Sequence, residues 1–169
     1  MSVDSAVDVQ TQPKPLVMQE AEYLEIPMPD DFHVHLRQGD MLRYAVRAQA
    51  GQVGRLLVMP NTLPPVSGLE RLAAYRSEVE RAMGELSSEM QGEPLFSFKI
   101  LPGMRADGVA ALARAGVVAG KYYPAGATTN AADGPRSFDE VAEVLEVMQE
   151  MGLVLSIHGE DPDAPVFER

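Results

Sequence analysis

The chain has 169 residues, 46% of them hydrophobic, which suits one globular domain or part of a larger one. Lys and Arg number 14 against 25 Asp and Glu, a formal net charge of -11, so no basic patch points to nucleic acid. Cysteine is absent, which excludes disulfides and thiolate metal sites and fits a cytoplasmic protein, and no apolar run is long enough to span a bilayer.

The first 20 residues, "MSVDSAVDVQTQPKPLVMQE", lack the basic start and apolar core of a signal peptide and read as a flexible extension. From residue 21 to 169 the chain alternates between two kinds of segment. "FHVHL" predicts a strand and "GDMLRYAVRAQAG" a helix ending near Gly51. "RLLVMP" predicts a buried strand. "SGLERLAAYRSEVERAMGEL" places Leu72, Tyr75, Val79, Met83 and Leu86 at helical spacing, behind the capping-box pair Ser67 and Glu70. "LFSFKILP" predicts a strand, "DGVAALARAG" a short helix closed by Gly116, and "GVVAGKYYP" a strand. "SFDEVAEVLEVMQEMG" repeats the capping-box spacing with Ser137 and Glu140 and sets Phe138, Val141, Leu145 and Met148 on one face. "LVLSIHGE" is a last strand. Such alternation predicts parallel strands joined by right-handed crossovers, in a barrel or an open doubly wound sheet. No Gly-rich phosphate loop follows the first strand, which argues against a nucleotide site.

Chemistry gathers at the predicted strand ends. Side chains two apart on a strand share a face, so His33 and His35 point together, and paired imidazoles suit zinc. Taken alone, the pair reads first as ordinary polar residues at a strand end, because a metal site needs more ligands. His158 ends the last strand and would, by itself, be a satisfied core or loop histidine. Lys121 follows the apolar run "VVAG", where burial lowers a lysine pKa. A neutral amine can take up carbon dioxide and become a long carboxylate. On the strand alone, a lysine reaching out to water is the first reading. In a (β/α)8 barrel, active sites sit at the carboxyl ends of the strands, where these four residues lie.

Taken in order, "DDFHVHLRQGDML", "VMPNTLPPV", "KYYPAGATTN" and "IHGE" resemble dihydroorotase of the class II type, in the amidohydrolase superfamily. The resemblance runs from about Asp30 to Glu160. It implies a TIM-like (β/α)8 barrel, of which this chain supplies about the first five strands. It implies two zinc ions and the interconversion of N-carbamoyl-L-aspartate and L-dihydroorotate. Carried over by residue, His33 and His35 become ligands of the more buried zinc, Lys121 the carboxylated bridge between both, and His158 a ligand of the second. Arg37 and Asn61 match contacts to the substrate carboxylate, and Thr128 and Thr129 match a mobile loop that folds over substrate. Otherwise Arg37 would be a surface partner of Asp40, Asn61 a turn former before Pro64 and Pro65, and the loop simply solvated. Tyr122 and Tyr123 read as packing residues.

The family's further zinc-binding histidine and its general acid/base aspartate match nothing in this sequence. The chain is therefore expected to be an N-terminal portion of the enzyme, inactive alone. Partners are the small-molecule substrate, with no nucleic acid and no membrane, and a homodimer is left open. Two other readings stand beside this one: another zinc cyclic amidohydrolase of the hydantoinase or allantoinase kind, and a non-catalytic barrel used for assembly.

Overall fold

The computed structural model describes residues 25–164; the extension expected over residues 1–20 lies outside them. Five strands alternate with four helices. They are β1 (Asp31–Val34), α1 (Asp40–Gln49), β2 (Arg55–Val58), α2 (Leu69–Met83), β3 (Glu93–Lys99), α3 (Ala106–Arg114), β4 (Val117–Tyr122), α4 (Ala142–Glu150) and β5 (Val154–Ile157). Short 3-10 turns precede β3 (Ser88–Met90) and α4 (Asp139–Val141).

Every pairing is parallel and the spatial order is β1-β2-β3-β4-β5. This order separates the two architectures that alternation alone left open. A doubly wound sheet reverses its strand order at a switch point and carries helices on both faces. Here the order never reverses, and right-handed crossovers then lay every helix on one side. Accordingly α1 packs on α2, α2 on α3 and α3 on α4. This is the arrangement of successive units in a (β/α)8 barrel.

The main core lies between strands and helices. Val34, Leu56, Val58, Phe96 and Phe98 meet Leu42, Val46, Leu72, Tyr75, Val79, Leu112 and Met148 there. Burying one such side chain contributes roughly 1.5–3 kcal/mol. The helical spacing read for α2 holds through Met83, and Leu86 packs against the core from beyond the helix end. In α4 the buried positions are Val144 and Met148, with Val141 just ahead of the helix; Leu145 is partly covered, and Phe138 is exposed and stacks on Tyr122.

Neither expected capping box forms. The Val66 carbonyl accepts the Lys99 N–H at 2.7 Å and the Val66 side chain is buried. That pins the entry to α2 and makes Gly68, not Ser67, the N-cap. Ahead of α4, the Glu140 carboxylate accepts the Arg136 N–H at 2.9 Å, and the chain reaches the helix through the 3-10 turn.

Candidate metal centre

The second face of the sheet, turned away from the helices, carries a smaller apolar group of Leu57, Met59 and Ala119. Strand alternation sets His33 and His35 on this face, because Val34 between them belongs to the main core. The same alternation brings Lys121 and Tyr123 to it from β4, and the register Lys121↔Ser156 brings His158 to it from β5. The strand-end residues expected to meet therefore do share one face.

Their proximity is direct. The His33 and His35 rings stand 5.2 Å apart. Lys121 and His158 both act electrostatically on His33, and Lys121 also acts on His35. Burial lowers the pKa of His33, and the positive charges of Lys121 and His158 lower it further. Burial likewise lowers the His35 pKa, opposed in part by its hydrogen bond to Asn61. Both histidines are thus biased toward the neutral form, the form that donates a lone pair to a metal.

Asn61 does more than form a turn. It is 6% exposed, and its Oδ1 lies 2.8 Å from His35 Nδ1. Its Nδ2 donates to the Thr129 carbonyl at 3.3 Å, so its oxygen faces the imidazole. His35 Nδ1 then carries the proton, and Nε2 keeps the lone pair. Asn61 orients a candidate ligand and simultaneously ties down the loop of Thr128 and Thr129.

Lys121 is fully buried, and its Nζ has no hydrogen-bond partner. The nearest compensation is the Tyr123 ring, 5.3 Å from Nζ. Burial lowers the Lys121 pKa. An orphaned amine at the centre of the face suits a group that is completed by carbon dioxide and metal. His158 sits beside Tyr123, ring to ring at 6.0 Å, with Nε2 2.8 Å from a Glu160 carboxylate oxygen. Among the described residues, no three His, Cys, Asp or Glu side chains form a ready metal cluster. What is present is a pair of neutral-biased imidazoles next to an unpartnered amine, a set of nitrogen groups of the kind that can serve a metal ion.

Arg37 is not paired with Asp40. Its backbone has a φ of 63°, a left-handed conformation uncommon for arginine, and the buried Tyr75 hydroxyl donates to its carbonyl at 2.9 Å. Strain of this kind concentrates at functional sites. His35, Arg37, Asn61 and Asn130 line a common cavity of about 100 Å³. A larger groove of about 520 Å³ runs between α1 and α2, where Arg43 and Glu85 form an ion pair; none of the strand-end histidines reaches it.

Two more side chains share this face. Tyr123, expected as a packing residue, is 1% exposed, and its hydroxyl has no hydrogen-bond partner. Lys99 ends the apolar run "LFSFK" just as Lys121 ends "VVAGK", and it lies buried directly beside Lys121 in the sheet.

No family model matches the chain. A dihydroorotase of Vibrio atlanticus (strain LGP32) is 45% identical over 149 residues, covering 86% of this chain. The chain spans 42% of that relative's length. The crystal structure of Saccharomyces cerevisiae dihydroorotase in complex with 5-fluoroorotic acid superposes with a TM-score of 0.71 at 30% identity, over 82% of this chain and 37% of that one. An L-hydantoinase from Arthrobacter aurescens matches with a TM-score of 0.64 at 20% identity, over 80% of this chain and 30% of its own, a likeness of fold alone. The five strands are part of a TIM-like barrel. In sequence and in fold the chain is similar to part of dihydroorotases, and it spans less than half the length of the relatives it matches.

Proposed function

We propose that this chain forms part of a zinc-dependent dihydroorotase, which reversibly cyclises N-carbamoyl-L-aspartate to L-dihydroorotate. The observation that carries the reading is the buried, unpartnered Lys121 amine beside two neutral-biased histidines, at the carboxyl ends of the strands. Lys121 would react with carbon dioxide: Nζ forms a bond to carbon, one C=O electron pair moves to oxygen, and a proton leaves to solvent. The resulting carboxylate, with His33, His35 and His158, would hold two zinc ions. Zinc in such a site polarises a carbonyl and lowers the pKa of a water molecule.

The chain's own residues would do the rest. Asn61 would keep His35 in the tautomer that leaves Nε2 available. The planar guanidinium of Arg37 would grip a carboxylate with two parallel hydrogen bonds, and Asn61 would add an amide donor. Thr128 and Thr129 would close over the ring from the 124–135 loop and exclude water. No aspartate in this sequence is assigned the proton transfer to the ring nitrogen, so residues 1–169 alone should be inactive. A cytoplasmic location and a homodimer belong to the same proposal; among the described residues no helix is long and apolar enough to cross a membrane.

The test is a comparison of dihydroorotate, hydantoin and allantoin as substrates of the natural full-length protein, with zinc content measured alongside. Zinc-dependent turnover of dihydroorotate supports the reading. Preference for hydantoin or allantoin moves the protein to another branch of cyclic amidohydrolases, and no turnover of any of the three favours a non-catalytic barrel.

A further inference from the structure

Lys99 is a buried ammonium that the proposed chemistry does not use. Its side chain is 1% exposed at the end of β3. Nζ donates to the Asn130 carbonyl at 2.6 Å and pairs with the Asp133 carboxylate, whose side chain is 50% exposed. Both partners belong to the 124–135 loop, which carries Thr128 and Thr129. The same loop is fastened a second time, where Asn130 Nδ2 donates to the Asn61 carbonyl at 3.0 Å. It is also pressed onto β4: a Cβ at Gly134 would lie 2.1 Å from the Tyr123 carbonyl oxygen, a space that glycine alone can occupy.

We propose that Lys99 is a positioning residue that clamps this loop over the strand ends and so sets how firmly Thr128 and Thr129 are presented to substrate. The second half of this proposal rests on the dihydroorotase reading; the clamp itself does not. The physical reason is asymmetric burial. With the loop docked, the ammonium has a carboxylate and a carbonyl. With the loop lifted, Asp133 gains water, but Lys99, fixed at the end of β3 and 1% exposed in the docked state, loses both of these partners, a costly change for a buried charge. Docking is therefore favoured by more than the worth of an exposed ion pair. A methionine at position 99 would fill similar space and remove that bias.

The experiment is hydrogen exchange together with steady-state kinetics on the natural full-length protein and its Lys99→Met variant. Amides within residues 126–133 should exchange roughly 10- to 100-fold faster in the variant, the range for losing a charge-assisted hydrogen bond. KM for dihydroorotate should rise by a similar factor while kcat changes less. Asp133→Asn, which keeps an acceptor but drops the charge, should show the same effects at smaller size; it carries the test if Lys99→Met does not fold. The double variant should add little to Lys99→Met, because both changes break one contact. Unchanged loop exchange in the variants, or independent additive effects, overturns the clamp. Faster exchange with an unchanged KM overturns its role in presenting substrate. Wild-type protein that does not turn over dihydroorotate refutes the proposed function instead, and the exchange data alone then decide the clamp.

Discussion

Replacing Lys121 with methionine should have opposite effects in the metal-free and the metal-loaded protein. Lys121 is fully buried and its amine has no hydrogen-bond partner. A buried unsatisfied donor costs about 1–3 kcal/mol, and more when charged. The Tyr123 ring, 5.3 Å from Nζ, offsets part of that through its π face, by about 0.5–2 kcal/mol. Methionine keeps most of the apolar stem and removes the ammonium. The metal-free variant should therefore be more stable than wild type by about 1 kcal/mol, read as a higher denaturant midpoint at unchanged m-value. With zinc and bicarbonate supplied, the order should reverse. A ligand at 100 times its Kd stabilises the folded state by about 2.7 kcal/mol, and the variant should lose most of that gain. The assay is urea unfolding of the natural full-length protein and its variant under both conditions, with bound zinc quantified. A metal-free variant less stable than wild type would show that the lysine serves the fold. Equal zinc content in both proteins would refute its role as a ligand.

Three further predictions follow from the same geometry. Burial holds the pKa values of His33 and His35 below the ordinary 6.5, so the unfolded chain binds protons there more readily than the folded one. Metal-free stability should therefore be full above pH 6.5 and decline as pH falls below it; a denaturant midpoint that rises on acidification would contradict this. Asn61→Leu frees His35 Nδ1 and releases the Thr129 carbonyl, and should weaken zinc binding by roughly 10- to 100-fold, measured by competition with a chelator. Arg37→Lys should raise KM for dihydroorotate, because an ammonium cannot reproduce the planar fork; identical steady-state constants would remove Arg37 from the site.

The order and type of the elements were legible because each segment carries its own period: two for "FHVHL", near 3.6 for Leu72, Tyr75, Val79 and Met83. The shared face of His33 and His35 followed from that period alone. The choice between a barrel and a doubly wound sheet did not, since strand order is a matter of pairing between distant segments. Tertiary contacts override the capping pattern: Val66, buried and bonded to Lys99, moves the start of α2 past Ser67. Without the family resemblance Asn61 is only a turn former, because its partners, His35 and Thr129, lie 26 and 68 residues away in sequence. Lys99 ends an apolar strand just as Lys121 does, and nothing in the local pattern separates them. Only the loop that returns over β3 distinguishes the two lysines, giving one a carboxylate and leaving the other bare.

The most direct test of the central claim is a crystal structure of the natural full-length protein grown with zinc and bicarbonate, with anomalous data recorded at the zinc edge. Zinc is expected about 2.0–2.1 Å from a nitrogen of His33 and of His35, with Lys121 carrying a carboxylate bound to the same metal. A bare Lys121 with zinc elsewhere, or with no zinc at His33 and His35, would contradict it.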